Sequence, residues 1–97
     1  MNCIEIIQLR ASGVTEADQA SAMVREIHQQ PWHPCRYDRE HPDSWKILRN
    51  SVCETDLCLH LHWKSEEHFL KPSTFGLRLA RALEEYGIIN HSIWQET

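Results

Sequence analysis

Two histidines and a cysteine stand at alternate positions near the middle of the chain, a spacing that can serve metal binding. Cys58, His60 and His62 lie in the segment DLCLHLHW (56–63), which alternates as a β-strand does. Both imidazoles then share one face and can reach one Zn²⁺ or Cu²⁺ ion. Cys58 and His62 are about 13 Å apart on an extended chain, too far for one tetrahedral ion. We therefore predict no metal site, and metal binding by the two histidines remains the weaker hypothesis.

A tryptophan ends the same strand on its opposite face, where the leucines of the strand also point. Trp63 can stack on an aromatic ligand in an apolar pocket. The alternative is a core tryptophan that closes the layer between helices and sheet, because large aromatic side chains serve mostly in packing. The other apolar residues predicted to bind a ligand with it are Leu59, Leu61, Phe75 and Leu79.

The segment PWHPCRYDREHPD (31–43) has three prolines and no periodicity. A loop this long is uncommon in a small domain and often carries function. Trp32 and His33 are candidate ligand-binding residues in a lid over a cleft, and His33 or His41 is a candidate general base. The alternative is a surface loop pinned by Trp32 and the prolines.

The first half of the chain predicts a strand, a helix and a second strand. Residues 3–9 are apolar on both faces apart from Glu5, which is typical of a central strand. Thr15 is the predicted N-cap of a helix, and a strand at 45–52 follows the long loop. The apolar stripe predicted for the helix consists of Ala20, Met23, Val24 and Ile27.

The second half predicts a hairpin, a helix and a last strand. Residues 53–55 are short enough to join the strands at 45–52 and 56–63 as a hairpin. A second helix is predicted to begin near Ser73 and to end at Gly87 as a left-handed C′ residue, with Ile88 touching Leu83. A final strand is predicted at 91–95. The order βαββαβ indicates one α+β domain, residues 1–97, with a ferredoxin-like antiparallel sheet and both helices on one face.

The other face of such a sheet is left without a cover. Cys58, His60 and His62 are predicted to lie on this face, and they lack the charged mixture of a fully solvated sheet. A two-fold dimer that packs sheet against sheet would bury them, so we predict a homodimer with these residues in its interface.

The composition of the chain argues against several classes of partner and location. The net charge is −4 and no run of lysine or arginine occurs, which argues against nucleic acid and anionic membranes as partners. No apolar run approaches the roughly 20 residues that span a bilayer, and the first ten residues do not have the pattern of a signal peptide. We expect a cytoplasmic protein whose four cysteines are reduced.

Three segments of the sequence resemble the antibiotic biosynthesis monooxygenase-like family: LCLHLHWKSEEHF (57–69), PSTFGLRLARALEEYG (72–87) and NHSIW (90–94). The resemblance implies a dimeric α+β barrel with a cleft between sheet and helices in each subunit. Some members oxidise phenols or quinols with oxygen and without a metal or flavin, and others cleave haem. Trp63 matches a cleft tryptophan that some catalytic members carry.

Other positions depart from the family pattern. Leu59 stands where phenol-oxidising members have an asparagine, and residues 76–82 lack the helix histidine of the haem-degrading members. Residues 6 and 7 are isoleucines where those members have an asparagine. These departures argue against haem cleavage. The resemblance as a whole implies a cofactor-independent monooxygenase-like protein that acts on or binds a small aromatic molecule. The alternative is a non-catalytic dimeric binding or interaction module of the same fold.

Overall fold

The computed structural model describes residues 2–30, 42–64 and 71–97, which form a four-stranded antiparallel sheet and two α-helices. The strands run in the order β2-β3-β1-β4, so β1 and β3 are central. This arrangement confirms the predicted ferredoxin-like α+β fold. In chain order the elements are β1 (Asn2–Ala11), α1 (Val14–Gln29), β2 (Ser44–Arg49), β3 (Asp56–Lys64), α2 (Thr74–Leu83), a 3₁₀ turn (Glu84–Tyr86) and β4 (Gly87–Gln95).

The core lies between the helices and one face of the sheet. Alternate residues of β1 and β3 point into it because successive side chains of a strand point to opposite faces. The predicted alternation of β3 is confirmed, since its leucines and Trp63 are buried while Cys58, His60 and His62 are half-buried. The largest side chains with almost no exposure include Ile7, Leu9, Val24, Leu59, Leu61 and Leu83.

The two helices cover the sheet through the stripes that the sequence predicted. In α1, Ala20 and Val24 are buried, and Met23 and Ile27 pack against the core from its edge. For the second helix the sequence predicts a stripe of Phe75, Leu79, Leu83 and Tyr86, with Ala80 and Ala82 beside it. Leu79, Leu83 and Ala80 are buried, and Phe75 and Tyr86 pack against the core from its edge. Within the described ranges, neither helix has the length and hydropathy needed to cross a bilayer.

The start of α1 differs from the prediction. The amide of Ala17 donates to the carbonyl of Gly13 at 3.0 Å, which makes Gly13 the N-cap and places Thr15 inside the first turn. Gly13 has an extended backbone and supplies no side-chain cap. The prediction was wrong because a hydroxyl two residues downstream gave a stronger cap signal than glycine does.

The predicted role of Gly87 was also wrong. Gly87 has an extended backbone, with φ 164° and ψ −152°, and is the first residue of β4, where it pairs with Ala11. A side chain there would run into the backbone of Arg10 and Ala11, so glycine is needed for close approach of two strands. β4 consequently begins four residues earlier than predicted, and Ile88 is 75% exposed instead of contacting Leu83.

Candidate functional site

A buried carboxylate lies at the centre of the face that the helices cover. Glu5 of β1 is only 2% exposed and stands among apolar core residues. Its Oε1 accepts from the indole Nε1–H of Trp63 at 3.1 Å and from the hydroxyl of Ser73 at 2.6 Å. Its Oε2 accepts from the amide of Ser73 at 3.0 Å and lies 2.6 Å from Nε2 of His91. We call Glu5, Trp63, Ser73 and His91 the Glu5 cluster.

The sheet positions two of these partners on opposite sides of β1. Trp63 on β3 pairs with Cys3, and His91 on β4 pairs with Ile7, so each lies diagonally from Glu5. Diagonal neighbours on one sheet face remain within reach of long and aromatic side chains. The two rings therefore converge on one carboxyl group from the two neighbouring strands.

The second helix supplies the remaining partner through its N-cap. The hydroxyl of Ser73 accepts from the amide of Gly76 at 2.9 Å, as an N-cap does, and donates its own hydrogen to Glu5. Gly76 lies directly above the carboxylate, and a Cβ there would overlap the carboxylate oxygens of Glu5. The cluster thus ties the start of α2 to the middle of the sheet.

The four hydrogen bonds explain how a carboxylate can remain in the core. An unpaired buried charge costs several kcal/mol, about the scale of a whole domain's stability. Each carboxylate oxygen of Glu5 has two partners, and the side chains of Glu5 and His91 are only 3% and 11% exposed. Among the described residues, no buried side-chain nitrogen or oxygen lacks a partner. A histidine held by a carboxylate in this way is oriented for proton transfer.

A groove of about 520 Å³ opens beside the cluster, at the end of the sheet where β1 begins and β3 and β4 end. Its volume lies in the range of small-molecule sites. Trp63 lines it, and so does Trp94, whose side chain is largely exposed. The other described residues that line it are Cys3, Ile4, Asp43, Ser44, His62, Lys64, Gln95 and Glu96.

The structure separates the predicted ligand-binding residues. Trp63 lines the groove, whereas Leu59, Leu61 and Leu79 are buried in the core between the helices and the sheet. Phe75 is half-buried and packs edge-on against Trp45, with ring centroids 5.7 Å apart. Their role in ligand binding remains a prediction. Trp32, His33 and His41 lie outside the described residues.

The face turned away from the helices carries the three residues predicted for a dimer interface. His60 and His62 are opposite Ile6 and Ile4 of β1, and Cys58 is opposite Gln8. Burial raises the pKa of the Cys58 thiol above its ordinary value. In the part of the chain that the structure describes, no three histidine, cysteine or acidic side chains are grouped to hold a metal.

This face, which we call the open face, also has exposed apolar side chains. Leu48 of β2 is 43% exposed, and Ile88 and Trp94 of β4 are 75% and 60% exposed. A concavity of about 450 Å³ lies at the end of the face away from Trp94, and Leu48, Cys58 and Ile88 help to line it.

In the sequence, Glu5 stands out only as an exception in an apolar strand, and nothing marks His91 as functional. Trp63, Ser73 and His91 are 58, 68 and 86 residues away from Glu5 along the chain, so sequence spacing could not link them to it. The available signal was Glu5 itself, because an acidic residue in a strand covered on both faces needs buried donors.

The fold is similar to that of several solved structures over nearly the whole chain. Rv0793 of Mycobacterium tuberculosis matches with a TM-score of 0.65 and 13% identity, over 100% of this chain and 96% of that one. A structure of SnoaB, a cofactor-independent oxygenase from Streptomyces nogalater, matches with a TM-score of 0.59 and 14% identity, over 99% and 93%. A mutant of SnoaB matches with the same score and identity, over 98% and 92%.

These matches confirm the predicted resemblance to the antibiotic biosynthesis monooxygenase-like fold, and at this level of identity they concern the fold alone. No family model matches the sequence, and no curated protein matches it significantly.

Proposed function

We propose that this protein is a cofactor-independent oxygenase that acts on a small phenol- or quinol-type aromatic molecule. The observation that carries the proposal is the placement of Trp63, whose indole is held by the buried Glu5 and which lines a groove of about 520 Å³. A fixed aromatic wall beside a cavity of this size suits a flat substrate of a few rings. The fold shared with the oxygenase SnoaB supports the same class of reaction.

The chemistry requires only the substrate, oxygen and a base. Deprotonation of the aromatic hydroxyl gives an anion that can donate electrons to O₂, and a bond forms between a ring carbon and oxygen. Protonation gives a hydroperoxide at a carbon that still bears hydrogen. Loss of that hydrogen with cleavage of the O–O bond leaves a carbonyl and one water, so that substrate plus O₂ yields quinone plus water. The protein would supply an apolar site, a stacking wall and the base.

Oxygen consumption tests this proposal directly. We expect oxygen consumption with members of a panel of dihydroxynaphthalenes, at a rate above that of the same compounds without protein. Trp63→Ala should lower the rate, whereas Trp45→Ala is the matched control because Trp45 is also a buried tryptophan but does not line the groove. Circular dichroism establishes that both variants fold. Absence of protein-dependent uptake across the panel would contradict an oxygenase.

The second candidate is a non-catalytic dimeric module that binds a small ligand or a partner. The observation that favours it is the burial of Leu59, Leu61 and Leu79 between the helices and the sheet, which leaves these side chains almost no exposed surface for a substrate. Calorimetric binding of the same aromatic panel without any oxygen uptake would support this candidate over the first.

For both candidates we propose that the working form is a homodimer joined through the open face. Isolated exposed apolar residues are common, but Leu48 and Ile88 lie on the face that also carries half-buried Cys58 and His60. A second copy related by two-fold symmetry would present the same mixture and cover it.

A further inference from the structure

We propose that Trp94 and His62 hold and ionise the substrate in the groove, with Trp94 stacked on the aromatic ring and His62 taking the hydroxyl proton as the general base. This inference rests on the proposed oxygenase function and names the residues that act in it. It differs from the sequence-based expectations, which considered His33 and His41 for the base and placed His62 in a dimer interface.

The strand register puts the two side chains in one row across the end of the open face. Ile4 of β1 is paired with His62 on one side and with Trp94 on the other. Directly opposite residues share a sheet face, and all three line the groove. Neighbouring strands are about 4.8 Å apart, so β3 and β4 are separated by about 10 Å across β1. A bicyclic aromatic ring can therefore lie over Ile4 and reach both Trp94 and His62.

Trp94 offers an aromatic surface that is held in place without being buried. The residue is 60% exposed, and its indole N–H donates to the hydroxyl of Ser92 at 3.0 Å. Ser92 is two residues earlier on the same face of β4, so the indole lies along the strand. A ring oriented in this way loses little further freedom when an aromatic ligand stacks on it.

The stacking surface and the proposed base share one side of the sheet. Successive strand residues point to opposite faces, so Trp63 borders the groove from the helix-covered side and His62 borders it from the open face. A hydroxylated ring stacked on Trp94 is on the same side as the imidazole of His62. The backbone of the sheet therefore does not lie between the ring and the base.

The imidazole of His62 has a nitrogen available for the hydroxyl proton. Within residues 2–30, 42–64 and 71–97, no hydrogen bond or ion pair engages this side chain. No described side-chain nitrogen is both buried and without a partner, so both ring nitrogens of His62 reach the surface. In either neutral tautomer, one of them has a lone pair that can accept a proton.

The other titratable groups that line the groove are less suited to act as the base. Asp43 is committed to the backbone, because its carboxylate accepts from the amide of Lys64 at 2.6 Å and its own amide donates to the carbonyl of His62 at 2.9 Å. An ammonium such as that of Lys64 has no acceptor, and a carboxylate such as that of Glu96 is a weaker base than an imidazole. Cys3 is only 1% exposed.

The proposed step is a proton transfer. The O–H bond of the substrate breaks, its hydrogen moves to the lone-pair nitrogen of His62, and the electron pair stays on the phenolate oxygen. The imidazolium that forms lies beside the phenolate and stabilises its charge. The same N–H can later return the proton to the peroxide formed with O₂.

This site and the proposed dimer are argued from different ends of the open face. Leu48 is paired with Cys58, which is four residues before His62 and about 13 Å from it along β3. Ile88 lies at the same end as Leu48, where both line the other concavity. A dimer centred on Leu48 and Ile88 can leave the groove accessible.

Nitrogen NMR of the indole groups locates the ligand without turnover. We expect 4-nitrophenol, added without oxygen, to shift the indole N–H signal of Trp94 and to leave that of Trp45, which does not line the groove, unchanged. Trp94→Ala should weaken binding by about 2- to 10-fold, the usual worth of an aromatic pair, and Trp94→Phe should retain most of the affinity. Failure of the wild type to bind the probe, or binding that leaves the Trp94 signal in place, would overturn the proposal.

The absorbance of the same probe tests the base. We expect bound 4-nitrophenol to show the band of the phenolate at a pH where the free phenol is largely neutral, and His62→Gln should bind it in the neutral form. His60→Gln is the matched control, since His60 is two residues away on the same face of β3 but does not line the groove. Sedimentation of both variants shows whether either histidine supports a dimer. Neutral probe on the wild type, phenolate on His62→Gln, or an equal loss of ionisation in both variants would reject His62 as the base.

Turnover separates this inference from the proposed function. If a dihydroxynaphthalene supports oxygen uptake, His62→Gln should lower kcat by about 10²- to 10⁴-fold with little change in KM, and Trp94→Ala should mainly raise KM. Uptake that survives in His62→Gln leaves the oxygenase and rejects the base. Phenolate bound to the wild type without any oxygen uptake leaves the site and rejects the oxygenase.

Discussion

The α-carbon of Gly76 faces the carboxylate of Glu5 so closely that a methyl group on Gly76 would overlap both carboxylate oxygens. The contact joins the first turn of α2 to the middle of β1. A glycine inside a helix normally costs about 1 kcal/mol relative to alanine, so its presence here needs a reason. The reason is the space that the Glu5 cluster occupies under the helix.

Gly76→Ala should therefore destabilise the protein, against the usual preference of helices for alanine. The carboxylate is the end of a flexible side chain, but four hydrogen bonds and its burial prevent it from moving aside. We expect the free energy of unfolding in urea to fall by about 1–3 kcal/mol, the usual cost of overpacking a core. In a Glu5→Ala background the same substitution should be neutral or stabilising. Equal effects in the two backgrounds would contradict the contact.

Glu5→Gln tests whether the carboxylate is matched to its donors. Whichever way the amide turns, its NH₂ faces the N–H of Trp63 or the N–H of Ser73, and one buried donor loses its partner. We expect a loss of about 1–3 kcal/mol in the free energy of unfolding, with an unchanged dependence on urea concentration. Glu26→Gln on the exposed side of α1 is the control and should change stability by less than about 0.5 kcal/mol. A Glu5→Gln protein as stable as this control would contradict the hydrogen-bond assignment.

The fold was predictable because its signals are local. The leucines of β3 alternate with Cys58, His60 and His62, and this period of two fixes which face meets the helices. The second helix begins beside Ser73 as expected, and the structure shows that Ser73 is its N-cap. Gly87 was misassigned because glycine serves both helix ends and close strand contacts, and only the pairing with Ala11 distinguishes the two.

The site was less predictable because it is assembled from distant parts of the chain. Trp63 could be recognised by its type and its place at the end of a strand. His91 could not, since its significance depends on Glu5, 86 residues earlier. Only the strand order β3-β1-β4 places the two rings on either side of one carboxylate, and that order is a property of the whole sheet.

Cys58 should react slowly with alkylating agents near neutral pH. Burial raises the pKa of this thiol, so at a given pH less of it is thiolate, the form that reacts. We expect iodoacetamide to modify Cys58 more slowly in the folded protein than in urea, and we expect the rate in the folded protein to keep rising with pH beyond the point at which the rate in urea levels off. Peptide mass spectrometry resolves it from the exposed Cys53. Equal rates for Cys58 in folded and unfolded protein would contradict the burial.

Charge placed on the open face should separate the proposed dimer. We expect sedimentation to show a dimer at micromolar concentration for the unmodified protein. Leu48→Glu or Ile88→Glu should shift it towards monomer, because each carboxylate would be buried against its symmetry-related copy without a partner. Leu77→Glu is the matched control, since Leu77 is also exposed but lies on α2. A dimer unaffected by both of these substitutions would place the interface elsewhere, and a well-folded monomer of the unmodified protein would remove the dimer altogether.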